Sequence, residues 1–411
     1  MNKYILDIAR TIIPLYIQNI IHVFLRKYKA LRYSLNSIKL PIIDIHEAGE
    51  AIKTIKDETI ETAFFPKIYN LINKGEFDYI CPKLELMKYQ NATVFPFSDF
   101  IQTHDGAVWG KFHKPQFTKI IPLDKDFLKI KNKLFIKKPN HVVRIKTGFS
   151  LCGVHSTVWA HFLVQYLPKL YLIPELRKTL NQDLTILLPK YTDLQIQEIV
   201  YSYLKNINGV EILELEENEV AICGLLYHIE NTAFIVDDGL YITPWDVLIP
   251  KFVAQSLKNN FLANFANINI QKETEMSDKK QSNIYIARSG IRNVRNSKEI
   301  EEYFLQKGFI LIYPHTYTLF EKIAIFQRAG VIVGPFSSGF TNIIFSKPKT
   351  KVLVFSNFQR TTDTYFGFIA KNFDIDIMLI TGDDKSSNQV NSSYTIPLND
   401  IESACIELGI L

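Results

Sequence analysis

Cysteine is scarce in this sequence. Four stand in 411 residues, Cys81, Cys152, Cys223 and Cys405, far apart and without a CxxC pair. That spacing excludes a disulfide framework and a zinc knuckle, and it suits a reducing compartment such as the cytoplasm. Also lacking is an uninterrupted run of about 20 apolar residues, the length a membrane-spanning helix requires. The stretch YILDIARTIIPLYIQNIIHVFLRKYKALRY comes nearest, but Asp7, Arg10, Pro14, Gln18, Asn19 and His22 break it. No cleavable signal pattern stands there either. Internal repeats and low-complexity tracts are absent. So is a strong charge excess: 47 Lys and Arg against 42 Asp and Glu leave +5. That is too little for a dedicated nucleic-acid binder, and no nucleic-acid partner is expected.

What is present is globular. Apolar residues make up 47% and charged residues 22%, a balance that excludes a disordered chain. A chain of this length is too long for one ordinary core, so two domains are expected. Basic residues crowd into Arg26 to Lys39 and Lys125 to Lys146, while Glu211 to Glu219 is acidic. Each basic run reads either as a solvated face or as attraction to an anionic acceptor or membrane surface. The N-terminal stretch, flanked by Arg26, Lys27, Lys29 and Arg32, fits an amphipathic helix. Such a helix lies on a bilayer or packs on the protein's own body.

Taken in order, residues 1–40 form that helical segment and 41–266 a first α/β domain. Within it, 42–109 is irregular and reads as a small β-rich addition, with a hairpin turning at Asp105-Gly106. From about His141, strand-like runs (HVVRIK, LTILLP, VEILEL, EVAICGLLYHI, AFIV) alternate with helical ones. Thr192 and Gln195 read as a capping pair, and a long helical run spans Trp245 to about Phe265. Residues 267–282 are a polar linker. A second unit, 283–411, repeats the alternation, with helix starts at Asn296/Glu299 and Thr318/Glu321 and a helix end at Gly308. Alternation of this kind predicts parallel sheets covered by helices, with a ligand cleft between the units.

The stretch from Asn283 to Phe355 organises the chain. Its third strand ends at a small-residue loop, Gly334 to Gly339, that opens onto another helix. Backbone N–H groups there can point at an anion, and a helix dipole adds partial positive charge. The pattern predicts a phosphate cradle.

Several features of this stretch recur together in a known family. IYIAR ends in Arg288, and Arg292 and Asn296 precede a helix. QKGF precedes a strand, and the helix containing Glu321 runs into RAGVIVGP. The loop from Gly334 to Gly339 leads to Thr341, Asn342 and Phe345. Upstream, WAHFLVQYLPKL is a helix with His161 and a Leu-Pro near its end. In this order, over roughly Ser150 to Phe355, the chain resembles glycosyltransferase family 61, common among bacterial capsular polysaccharide enzymes. The resemblance implies a GT-B-like fold, with the acceptor mainly on the first Rossmann-type domain and the sugar nucleotide mainly on the second. It also implies inverting transfer from a UDP- or CMP-type nucleotide sugar to a hydroxyl of an oligosaccharide or lipid-linked glycan. A cytoplasmic protein, in peripheral contact with the membrane, is the expected setting. No metal or separate cofactor is expected.

Such chemistry needs a base near the hydroxyl and positive charge or N–H donors at the leaving phosphate. Arg288, at a strand end, can grip a phosphate in bidentate fashion, with Arg292 and Arg295 in the same turn. Gly334, Ser337, Ser338, Gly339, Thr341 and Asn342 form the loop and helix start, where capping and phosphate binding are compatible. Asn296 belongs to the resemblance. Glu321 reads either as a contact to the donor's ribose or sugar or as a capping residue. His161 is the first candidate base, or else a satisfied core histidine. Asp237 and Asp238, at a strand end before Gly239, are the alternative base, or a polar turn. Asp374-Ile375-Asp376 imitates a metal-binding DxD, but it alternates with apolar residues in a strand-like run and reads as structural. Two departures from the family stand out. Relatives commonly carry Gly-x-His-Gly-Ala where this chain has Phe336, Ser337 and Ser338 in the last three places. Gln165 stands where relatives often place an acid.

Overall fold

The structure, a computed structural model, describes residues 37–71, 75–108, 120–124, 127–130, 133–190, 193–233, 248–263, 282–288, 294–357, 364–382 and 393–411. Most of the N-terminal segment, the linker, Thr192, the Asp237-Asp238 pair and Arg292 lie outside the described residues.

The protein is a mixed α/β fold built on two large sheets. In the first, Val210–Leu215, Leu184–Pro189, His141–Ser150 and Glu219–Ile229 pair in parallel, in that spatial order. Leu84–Val94 then adds antiparallel to Glu219–Ile229 and extends the sheet toward Ile101–Gln102, Ala107–Val108 and Ser37–Ile43. Residues 42–109 are therefore not a small addition. Their 11-residue strand is a central member of a 12-stranded sheet. The sequence hides this because Lys88, Gln90 and Asn91 interrupt its apolar pattern. The hairpin does turn at Asp105-Gly106, where the Thr103 N–H donates to the Gly106 carbonyl at 2.8 Å.

The second sheet is regular. Ile310–Ile312, Ser282–Ile286, Ala329–Pro335, Lys351–Ser356 and Asp376–Thr381 run parallel in the order second-first-third-fourth-fifth. Lys67–Ile68, from the early part of the chain, adds a sixth strand at the edge. Successive side chains face opposite layers, as pleating requires. Ile284, Ile332, Val352, Val354 and Leu379 enter one core. Tyr285, Val333, Leu353, Phe355 and Ile380 enter another, with Phe304 and Ile401 of the covering helices. Burial on both faces explains why these strands read as continuous apolar runs.

The first of those cores is shared. It also contains Phe149, Ile186, Ile229 and the helical residues Phe162, Leu163 and Leu170, so both sheets are sealed by one hydrophobic cluster. Phe261 and Phe345 meet within it at 5.7 Å.

Some helix starts differ from expectation. Asp193 caps Leu194–Leu204, accepting from the N–H groups of Gln195 at 2.9 Å and Ile196 at 3.3 Å. Asn296 precedes Ser297–Gln306 but makes no side-chain cap, because its amide is occupied elsewhere. Its Nδ2 donates to the Ile396 carbonyl at 2.8 Å, pinning the C-terminal segment. The expected long helix at Trp245–Phe265 begins only at Lys251, behind Pro250, and continues as π turns over Leu257–Leu262. Gly308 ends its helix with φ +81°, a conformation that favours glycine.

Candidate functional site

The second sheet's strand order reverses between Ser282–Ile286 and Ala329–Pro335. At such a switch point the helices leave to opposite faces, and the strand C-termini open a crevice. Ala287 and Arg288 follow the first of these strands and Phe336 to Gly339 the second. A cleft of about 890 Å3 lies there, lined by Ala287, Arg288, Ser337, Ser338, Gly339 and Asn342. Its remaining lining comes from Pro314 to Thr318 and Lys322 of the second unit, and from Val158, Trp159, Asp193, Leu194, Gln195 and Glu198 of the first.

The loop is shaped by glycine and held by arginine. Gly334 has φ +146°, and a Cβ there would collide with the Ile286 carbonyl of the neighbouring strand. The Arg288 guanidinium donates to the Phe336 carbonyl, and the Phe336 N–H donates to the Phe355 carbonyl at 2.7 Å. The Phe336 ring packs edge-on against Phe366, with centroids 5.3 Å apart. Ser338–Phe345 is a 3-10 helix rather than an α-helix, and the Ser337 side chain does not cap it. Thr341 is buried, so its hydroxyl is not a cleft group. Asn342 is fully engaged: Oδ1 accepts the Trp159 indole N–H at 3.0 Å, and Nδ2 donates to the Gly339 carbonyl at 2.9 Å.

On the facing wall, Trp159–Leu180 is one helical rod with a π segment at Phe162–Tyr166. Proline explains the irregularity. Pro168 has no N–H to give the Val164 carbonyl, and its ring would press on that carbonyl in a regular helix. The Thr232 hydroxyl donates to the freed oxygen at 2.6 Å.

His161 stands at the start of this segment, half-buried, its ring 4.4 Å from that of His155. Gln165 fixes its tautomer. The Ala233 carbonyl can only accept, so the Gln165 Nε2 donates to it, at 3.2 Å. Gln165 Oε1 then faces His161 Nδ1 at 3.2 Å, which places the ring proton on Nδ1 and leaves the lone pair on Nε2. Burial, with His155 second, lowers the His161 pKa to about 4, so the ring is neutral at physiological pH. Asp99 opposes that shift, favouring the protonated ring. Asp99 is also the hub of a polar cluster, accepting from the Tyr166 hydroxyl and the Asn231 amide at 3.1 Å each.

The anticipated residues thus separate. Arg288, Ser337, Ser338, Gly339 and Asn342 converge on the cleft, and Gly334 shapes its floor. His161 is not a lining residue, although Val158 and Trp159 beside it are. Glu321 completes a capping box, accepting the Thr318 N–H at 2.8 Å, and does not line the cleft. Asp376 begins its strand, at the end of the sheet opposite the crevice, and Asp374 pairs with Lys349 at 2.7 Å. Among the described residues no cluster of three or more His, Cys, Asp or Glu side chains could hold a metal.

Sequence reasoning missed Lys322, Asp193, Glu198, Tyr317 and Asp99. Only Lys322 left a trace. It sits three residues after Leu319 and one before Ile323, on the apolar face of an amphipathic helix, where a lysine is out of place.

Such a molecule is a mixed α/β protein with a cleft at the switch point of a parallel sheet. Residues 159–353 match the family model described as Glycosyltransferase 61, so this part of the chain is similar to that family. The matched span runs from Trp159 in the histidine helix through the loop to Leu353 in the fourth strand of the second sheet. No curated protein matches the chain. Among the described residues, no helix is long and apolar enough to cross a membrane.

Proposed function

We propose that the protein is an inverting glycosyltransferase of GT-B type. It moves a sugar from a UDP- or CMP-type nucleotide sugar to a hydroxyl of a growing capsular-type polysaccharide or its lipid-linked precursor. The observation that carries this is the convergence of Arg288 and the Ser337–Gly339 loop on a switch-point cleft whose opposite wall begins at the histidine helix. The nucleotide's phosphate lies against Arg288 and the N–H groups of the loop, and the acceptor enters from the first unit.

In the transfer, the acceptor oxygen attacks the anomeric carbon as its proton passes to a base, for which the first candidate is His161 Nε2, on the helix whose Val158 and Trp159 end lines the cleft. The bond from that carbon to the phosphate oxygen breaks on the opposite face, giving inversion. Arg288 and the loop donors take up the leaving charge, and no metal is required for it. Asp99 favours the imidazolium that forms. Asp237 and Asp238 are the alternative base.

A second reading, a non-catalytic nucleotide-sugar or glycan-binding protein of a polysaccharide assembly complex, is favoured by Phe336. An aromatic packed on Phe366 cannot donate to phosphate as the family's histidine can. Incubation with a panel of nucleotide sugars and capsule oligosaccharides separates the two. Turnover with a defined donor supports the enzyme, whereas binding without turnover across the panel supports the second reading.

A further inference from the structure

Among the described residues two lysines are largely buried, Lys169 at 1% and Lys322 at 4% exposure, and their surroundings differ. Lys169 has partners. Its Nζ donates to Asn231 Oδ1 at 2.8 Å and lies 5.1 Å from the Tyr166 ring centroid. The Lys322 Nζ has neither a hydrogen bond nor an ion pair among the described residues. Its stem shares the buried face of Leu319–Arg328 with Leu319, Ile323 and Phe326, and the residue lines the cleft. A lysine stem on this buried face is unneeded for packing, since methionine or leucine would fill the space, and an ammonium that meets the cleft without a protein partner there is free to take an anion. The acid that bears on it is Asp193, whose Oδ1 already accepts two backbone N–H groups as a helix cap.

We propose that Lys322 is a phosphate-binding residue of the cleft, pairing with the nucleotide's phosphate alongside Arg288 and the Ser337–Gly339 loop. This rests on the cleft being a nucleotide-sugar site. The chemistry fits. A compact ammonium on a buried stem gives a charge-assisted bond to an anionic oxygen, and the incoming anion supplies the missing partner. Burial lowers the Lys322 pKa to about 8, so the group is charged at neutral pH when the anion arrives. It also supplies a phosphate contact where Phe336 has replaced a donor in the loop.

The test is calorimetry of wild type, K322M and K322R with UDP, CMP and uridine. K322M is expected to lose about tenfold or more in UDP affinity, the scale of a charge-assisted hydrogen bond. Its uridine affinity and melting temperature should hold, and K322R should recover part of the UDP affinity. UDP binding by K322M equal to wild type overturns the proposal, as does a K322M that loses stability yet keeps UDP affinity. K322Q, which removes the charge and keeps a polar end, is the second variant if K322M folds poorly, with the same expectation. Wild-type protein that binds neither UDP nor CMP overturns the nucleotide-sugar reading itself, an outcome distinct from an unaffected K322M.

Discussion

Trp159 and Asn342, 183 positions apart, are joined by a hydrogen bond of 3.0 Å from the indole Nε1 to the amide Oδ1. An indole N–H can only donate, so the contact fixes the amide's orientation and sends Nδ2 to the Gly339 carbonyl. One side chain thereby locks the loop to the histidine helix. Replacing Asn342 with Ala leaves a buried indole N–H and a loop carbonyl unsatisfied. The expected cost is about 1–3 kcal/mol, read from denaturant unfolding. Asn342→Asp keeps the acceptor and should lose less of the Trp159 contact, at the expense of the Gly339 bond.

Gln165 decides which nitrogen of His161 is basic, so its charge sets the pH at which that nitrogen works. With the pKa lowered to about 4, activity should rise through the acid range and be flat at neutral pH. Gln165→Glu places a carboxylate beside Nδ1 and favours the imidazolium, so the acid limb should move to higher pH. The His161 ring resonance in an NMR titration checks the shift without relying on turnover. A Gln165→Glu titration that overlays wild type would remove Gln165 from this role.

Acid should also unfold the protein through its buried histidines. Burial lowers His161 to about 4 and His228 to about 3, both below the ordinary value of 6.5. The unfolded chain therefore binds more protons than the folded one across that interval, and stability falls there as the pH is lowered. Their contribution is complete above about pH 6.5 and is lost as pH drops through the folded values. Unfolding midpoints between pH 7 and pH 4 should show the decline, and His228→Leu should flatten part of it.

The basic, apolar N-terminal segment remains an expectation about the membrane. Deleting residues through Arg32 should move the protein from the membrane fraction to the soluble one. An unchanged partition would assign that segment to packing.

Much of the second unit was legible from the sequence. Its strands alternate between two cores, so they read as apolar runs, and Gly334 and Gly308 mark backbone that other residues adopt at a cost. The first unit was harder. Leu84–Val94 is a central strand that carries Lys88, Gln90 and Asn91, and local patterning assigned it to a side element. The helix signals misled in detail for a related reason. Asn296 and Asp193 both begin helices, but only Asp193 does so with its own side chain, because the Asn296 amide is used by Ile396, 100 residues away.

The sequence by itself determined the order of strands and helices in the second unit, the glycine-shaped loop after its third strand, and the resemblance to a glycosyltransferase domain. Each of those is written in neighbouring residues, through side-chain period and backbone preference. Tertiary structure alone decided what the site residues do. Asn342 is spent on Trp159, Glu321 on Thr318, and the tautomer of His161 depends on a carbonyl 68 residues beyond Gln165. Lys322 faces the cleft because its helix packs one way and not another. Hydrogen bonds and burial between distant positions have no local signature, since they exist only once the two sheets close over one core.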